Sequence, residues 1–270
     1  MNVSKVKTIL IIALVIINIF LLFIDSPDYN TKVNIDKELI SALNQKNVKV
    51  DNIEFNFPSN IKKIFLSYEN YLSDDIIKKM LGNNYMQKNN LFLNDSYYLD
   101  LENKHQLIFS KRGVSLSENT TSVKDAKEIG KEFLKKKNFY LEDLDIQKVV
   151  KEKEFISIYY DQYYKNRFLE DSSMILKVAN GEVILFKRKW FKVESGDFHK
   201  NEIIPLERII YKFIKEYQKE KEIKTIEKIE LGYILEDNIF VQNIQSGEGF
   251  PYYRFKFDDG KYYYIEAVER

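Results

Sequence analysis

The chain has 270 residues, 44% of them hydrophobic and 31% charged, with a formal net charge of +1. That is enough apolar material for one or two domains, and the near-neutral balance excludes an overall field that would draw the protein to nucleic acid. With no cysteine, disulfides, thiolate zinc sites and cysteine nucleophiles are excluded together. Aromatic residues are plentiful, 19 Tyr and 19 Phe, and gather in alternating runs at 252–257 and 262–265, a pattern of sheet rather than helical bundle. Glycine and proline are sparse, which argues against long disordered linkers.

Residues 9–24 are apolar at every position but Asn18, and Val6 and Thr8 extend the stretch toward the ~20 residues of a spanning helix. Its 14 Leu, Ile, Val and Phe residues, at about 0.4 kcal/mol each, favour insertion by about 6 kcal/mol, which outweighs a single amide. A cleaved signal peptide competes, because Lys5 and Lys7 form a basic start. The segment that follows, Phe23-Ile24-Asp25-Ser26-Pro27-Asp28, has no small-x-small cleavage site and no lipobox cysteine. An uncleaved anchor is therefore expected. Lys5 and Lys7 before the span, against Asp25 and Asp28 after it, orient the N-terminus to the cytoplasm. Asn18 is either a tolerated amide or one that hydrogen-bonds across to a partner helix. Leu14, Leu21 and Leu22 lie at helical spacing from it and share any partner face.

Beyond the anchor, 36–45 reads as a short helix with Leu39, Ile40 and Leu43 on one face, and 48–57 as a strand ended by Pro58. Residues 61–68 form another strand pattern. Ser73-Asp74-Asp75 caps a helix to Leu81, stopped by Gly82-Asn83-Asn84. Three short strands are expected over 85–109, broken at 88–90 and 103–104, with Lys111-Arg112-Gly113 closing this first unit. The polar stretch 115–121 is the linker expected between units. Ser122 caps an amphipathic helix to about Lys137 that turns Ala126, Ile129, Phe133 and Leu134 inward. Strands follow at 146–164 and 172–193, the latter folded back at Asn180-Gly181. A helix from Pro205 carries Leu206, Ile209, Ile210, Phe213 and Ile214 inward. A strand at 226–235 and a hairpin of 252–257 with 262–267 around Asp258-Asp259-Gly260 end the chain.

Helix followed by antiparallel strands occurs after Ser122 and again after Pro205, which suggests a duplicated unit. The expected architecture is α+β, helices packed on one face of antiparallel sheets. The organisation reads as a cytoplasmic tail at 1–8, a transmembrane helix at 9–24 (6–24 at its longest), and two similar extracytoplasmic α+β units at 30–113 and 122–270.

The residues offer no catalytic apparatus, so no enzyme is expected, and no cofactor or metal. The two histidines, His105 and His199, are not spaced as a metal pair, and there is no nucleophile elbow, P-loop or dinucleotide fingerprint. Ser4 and Lys7 match a Ser-Lys pair but lie at the membrane boundary. Acid pairs such as Asp143 with Asp145, or Asp258 with Asp259, sit too close in sequence to face each other across a glycosidase cleft. The tyrosine-rich C-terminal strands suit a carbohydrate platform, a protein interface or, most commonly, a packed sheet face.

The run Ser4-Lys5-Val6-Lys7-Thr8-Ile9-Leu10-Ile11-Ile12-Ala13, continuing through Ile17-Asn18-Ile19-Phe20-Leu21-Leu22, resembles the start of YycI-type regulatory proteins of Gram-positive bacteria. That family opens with a Trp-Ser-Lys-x-Lys-Thr-Ile run and an Asn-x-Phe-Leu-Leu ending. Ile229-Glu230-Leu231-Gly232-Tyr233, Pro251-Tyr252-Tyr253-Arg254 and Tyr262-Tyr263-Tyr264-Ile265 extend the resemblance to the C-terminal region. Val3 stands where the family has Trp, and Tyr252-Tyr253 where it has a Pro-x-Trp pattern.

The resemblance implies a cell-membrane, single-pass signalling accessory with an extracytoplasmic ectodomain of two similar α+β units. Its implied partners are a YycH-like membrane protein, the WalK sensor histidine kinase of the cell-wall two-component system, which acts through WalR, and the lipid bilayer. The helix at 9–24 is then the conduit to the kinase, with Asn18 the expected contact. The other reading open from the residues is an anchored exported module that binds cell-wall polymer or peptide.

Overall fold

The computed structural model describes residues 13–15, 17, 31–33, 37–50, 55–101, 104–114, 120–141, 144–194, 200–218, 221–235 and 245–269. Residues 13–15 and 17 are helical, and no helix among the described residues is long and apolar enough to cross a membrane. The remainder of the expected span at 9–24, the tail before it and most of the 115–121 linker lie outside the described residues.

Beyond these first helical residues, four helices and eighteen strands make up the described part, a mixed α+β fold dominated by sheet. In chain order they are β1 (Thr31–Val33), α1 (Lys37–Gln45), β2 (Val48–Val50), β3 (Phe55–Phe57), β4 (Asn60–Lys62), β5 (Ile64–Tyr68), α2 (Asp74–Leu81), β6 (Met86–Lys88), β7 (Leu91–Leu93), β8 (Tyr97–Asp100) and β9 (Leu107–Lys111). Then come α3 (Val123–Lys136), β10 (Asp145–Lys151), β11 (Ile156–Tyr164), β12 (Arg167–Ala179), β13 (Glu182–Lys189), β14 (Phe191–Glu194), β15 (Lys200–Glu202), α4 (Leu206–Glu216), β16 (Lys224–Leu235), β17 (Ser246–Phe257) and β18 (Tyr262–Glu266).

Local signals explain the helices well. Ser73 Oγ accepts from the Ile76 amide at 3.3 Å to start α2, and Gly82, at φ 85°, ends it. Ser122 Oγ accepts from Asp125 N at 3.1 Å to start α3. At its far end Asn138 takes a left-handed conformation, and Phe139 N donates to Leu134 O at 2.8 Å. Pro205 sits at the cap position of α4. Within α1 the inward face is narrower than expected, since Leu39 and Leu43 are buried but Ile40 is exposed. In α3, Ala126 and Leu134 are buried and Ile129 and Phe133 half-buried, while Gly130 lets the helix approach Leu176.

Strand boundaries depart from the sequence pattern wherever a single run serves two neighbours. The expected strand at 48–57 is two: β2 runs parallel to β16, whereas β3 pairs with β1. The run 61–68 divides at Lys63 into β4, paired with β15, and β5, held between β14 and β17. Residues 85–109 hold four strands up to Lys111, because Asn94 makes an additional turn, its Oδ1 accepting from Ser96 N and Tyr97 N. β12 begins at Arg167, ahead of the expected 172, because Lys165 and Asn166 both adopt positive φ in a two-residue hairpin turn.

Fourteen of the strands form one sheet whose main path is β14-β5-β17-β16-β12-β13-β9-β8-β7-β6, with β10-β11 hanging from β12, β18 from β17 and β2 from β16. The expectation of purely antiparallel sheets needs correcting at two places. β2 meets β16 in parallel, and β12 does so at Phe168↔Gly232 and Leu169↔Tyr233. This second contact is the seam between two antiparallel halves.

Each half has its own core. One joins α1 and α4 to β5, β16 and β17 through Leu39, Leu66, Phe213, Tyr233, Tyr253 and Phe255; the other joins α2 and α3 to β8, β9 and β11–β13 through Tyr71, Leu99, Phe109, Ile158, Leu176 and Phe186. A small third cluster, Phe168, Ile234 and Tyr252, lies at the seam. The arrangement does not establish a duplication of two like units.

A Cβ added at Gly232 would lie 2.3 Å from two Phe168 ring carbons and 2.4 Å from the Phe168 carbonyl oxygen. Gly232→Ala is expected to cost about 3 kcal/mol in urea unfolding. Phe168→Ala in the same chain is expected not to restore stability, because the carbonyl clash remains.

Candidate functional site at the seam of the two cores

The alternation along β17 points Tyr253, Phe255 and Phe257 into the first core and Tyr252, Arg254 and Lys256 to the opposite face. In the cross-strand register Arg254 lies opposite Glu230 of β16 and Tyr264 of β18. The end of the β11–β12 hairpin lies over this face. It brings Asp161, Tyr163, Phe168 and Glu170 to Arg254, and Gln147 of β10 donates to Tyr262 Oη at 2.8 Å.

Arg254 is 3% exposed. Its Nε and Nη2 donate to Glu230 Oε2 at 3.2 and 2.8 Å, its Nη1 to Glu170 at 3.3 Å, and its Nη2 to Asp161 at 3.4 Å and to Tyr163 Oη at 3.4 Å. The guanidinium plane stacks with Phe168 at 4.2 Å and Tyr262 at 4.7 Å. A planar, permanently charged group with a fork of donors suits this arrangement, and a lysine would not reach the same partners.

Three carboxylates converge on that one guanidinium, and Lys228 adds a second positive charge at Glu230. Burial pushes Asp161 and Glu170 above the usual carboxylate range, with Arg254 opposing the shift incompletely. Burial acts the same way on Glu230, but Arg254 and Lys228 outweigh it and its carboxyl lies below the usual range. Burial and the neighbouring Glu230 raise Tyr163, and burial and Glu170 raise Tyr264, so both phenols stay protonated at neutral pH. The cluster can hold two sheet halves together and respond to protons.

β12 changes partner at this point. Residues Phe168 and Leu169 pair with β16, whereas Ser173 onward pairs with β13, and Asp171 between them has φ 64°. That conformation is uncommon for a residue with a side chain, though Asp tolerates it better than most.

A second buried arginine, Arg188 of β13, grips both oxygens of Glu69 just after β5 and donates to Tyr71 Oη at 2.8 Å. Its guanidinium lies over Trp190, Phe139 and Tyr71. Arg188 Nε and Trp190 Nε1 are buried without a hydrogen-bond partner.

Of the residues singled out in the sequence, Leu14 is helical and exposed, while Asn18, Leu21, Leu22, Lys5, Lys7, Asp25 and Asp28 lie outside the described residues, as do Ser4, His199 and Asp143. His105 is half-buried, with Nδ1 3.1 Å from the Glu69 carbonyl oxygen. Asp145 is exposed on β10. Asp259 accepts from Lys261 N and from Lys224 Nζ, each at 3.0 Å, and these bonds hold it below the usual range. The tyrosine-rich strands are internal packing on one face and part of the arginine cluster on the other. Among the described residues no group of three or more His, Asp or Glu could hold a metal ion. A shallow crevice beside the end of α2 is lined by Asn83, Asn84, Asn94, Asp95 and Ser96, but the Asn94 side chain is spent on Leu81 O and on its own turn.

No protein-family model matches the chain, and no curated protein matches it. Its similarity to known proteins is one of structure. YycH from Bacillus subtilis superposes with a TM-score of 0.51 at 12% identity, over 87% of this chain and 56% of that one. The chain thus spans little more than half of that YycH chain. An uncharacterized protein from Eubacterium rectale is also similar (TM-score 0.46, 9% identity, 89% and 90% of the two chains), as is the C-terminal domain of YpeB from Bacillus megaterium (0.44, 15%, 74% and 95%). At these identities the likeness speaks for the fold.

The charge arrangement has a definite pH signature. Asp161 and Glu170, raised in the folded state, add stability that is complete below their unfolded values near 4 and lost as pH rises through the folded ones. Glu230, lowered, adds stability above its unfolded value that is lost as pH falls. Asp161→Asn with Glu170→Gln is therefore expected to gain stability relative to the parent as pH rises from 4.5 to 7.5, as read by urea unfolding with Trp190 fluorescence. An equal difference at both pH values would contradict the arrangement. Arg254→Met is expected to cost about 3 to 5 kcal/mol at neutral pH, since it leaves buried carboxylates without their counter-charge.

Proposed function

We propose that this chain is a membrane-anchored accessory regulator of a two-component system that controls the cell wall, acting on a sensor histidine kinase together with a YycH-like protein. The observation that carries this reading is the fold shared with YycH over 87% of the chain. The YycI-like run at 4–22, with its basic start and apolar continuation, supports it from the other end of the chain. In this reading residues 1–8 are cytoplasmic, 9–24 cross the membrane, and the sheet domain is extracytoplasmic. The role requires no catalysis.

The mechanism is one of differential contact. An exported domain biases a kinase only if some element packs differently in the kinase's two states. In this reading that element is the helix at 9–24, and Asn18 is its polar contact. An interhelical hydrogen bond by such an amide is worth about 0.6 to 2 kcal/mol, enough to shift a balanced equilibrium severalfold.

Photocrosslinking from Leu14, Asn18 and Leu22 in native membranes is expected to yield adducts with a sensor kinase or a single-pass YycH-like protein, and Asn18→Leu to weaken them and alter signalling. Lipid adducts alone, together with full function after exchange of the helix for an unrelated anchor, would instead favour an anchored module that binds cell-wall polymer or peptide.

A further inference from the structure

The last turns of α2 and α3 come together on the surface of the second core. Lys137, at the end of α3, donates to the carbonyls of Lys79 and Met80 at 2.6 and 3.1 Å, which ties the two helix ends to each other. Around this tie stand Lys78 and Lys79 of α2 and Lys131, Lys135 and Lys136 of α3, six lysines with Lys137. Among the described residues none of the six has a carboxylate within ion-pair distance. Glu128 and Glu132, exposed on α3, are likewise unpaired with them.

Aromatic rings lie beneath the ammonium groups. Lys131 and Lys135 sit over Tyr140 at 5.8 and 5.3 Å, Lys79 over Phe139 at 5.3 Å, and Lys137 over Phe109 at 5.8 Å. These contacts hold long side chains in place without neutralising them. Burial, then Lys136 and Lys79, push the Lys137 ammonium below its usual range, so the crowding of positive charge is felt within the cluster. Lys131 and Lys135 are one helical turn apart, a rise of about 6 Å, and the Lys137 tie brings the last turn of α2, which carries Lys78 and Lys79, to the end of the same helix.

We infer that this lysine row is a binding surface for a linear, phosphate-bearing polyanion. Ammonium groups are compact charges that take phosphates singly, and two of them one helical turn apart, Lys131 and Lys135, meet successive phosphates along a chain. Because the whole chain carries a net charge of only +1, binding of a polyanion has to come from a local patch. The inference stands apart from the proposed regulatory role.

The test is fluorescence anisotropy of labelled linear polyphosphate against the full chain in neutral detergent. Binding is expected to weaken with salt. Lys131→Gln, Lys135→Gln and Lys136→Gln together are expected to lower affinity about tenfold or more and to reduce the slope of log affinity against log salt by about two. Lys148→Gln, Lys151→Gln and Lys153→Gln, an equal loss of charge elsewhere, are expected to leave affinity within about twofold. Equal weakening by the two triple variants, or no binding at low salt, overturns the assignment. So does displacement of the polyphosphate by anionic phospholipid added to the micelles, which would transfer the row to a lipid surface. All six substituted positions are exposed on the surface, and a near-ultraviolet spectrum like that of the parent confirms that each variant folds.

Discussion

The close approach of Phe168 to Gly232, with Arg254 buried beside it, is the constraint on which the sheet depends. Two antiparallel halves would each present an open edge at this place. They join through only two parallel residue pairs, and a ladder so short supplies little cohesion by itself. The glycine permits the approach, the Phe168 ring fills the seam, and the guanidinium stacks on that ring while bonding to carboxylates from both halves. Asp161 and Glu170 belong to the β11–β12 hairpin and Glu230 to β16, so each bond to Arg254 spans the seam or braces one side of it.

The charge balance there is not the one that maximises stability. A buried ion pair rarely outperforms apolar packing of the same shape, and a surplus of carboxylates makes it worse. What such a cluster does provide is register. Arg254 reaches Glu230, Glu170 and Asp161 together only when β12 crosses from β16 to β13 at Asp171, and a slip of one residue would send these groups to the opposite face. The second arginine works similarly: Arg188 and Glu69 fasten β13 of one core to the segment leaving β5 of the other.

Both cores draw on distant parts of the chain. Residues 64–68 lie in the first core and 71–109 in the second, so the chain passes between them within a few residues of Glu69. The same passage recurs between Phe186 and Phe191, beside Arg188. Tight coupling of the two cores follows from these crossings. A domain built in this way transmits a change at one surface to the other more readily than two beads on a linker would.

Local patterning determined the helices of this protein, the Asn180-Gly181 hairpin, the predominance of sheet and the inward set of α4, because caps, turn residues and periodicity act over a few neighbouring residues. It also contained a trace of the central cluster, since Glu230 and Arg254 stand at positions that alternation turns away from the core. Their convergence was not legible, because Asp161, Glu170, Glu230 and Arg254 come from four strands and 93 residues separate Asp161 from Arg254. The divided strands at 48–57 and 61–68 escaped for a related reason: a continuous apolar run does not reveal that its two ends pair with different neighbours. Those pairings, the parallel seam and the meeting of six lysines at two helix ends were decided by the tertiary structure alone, because each depends on which distant segments share a face.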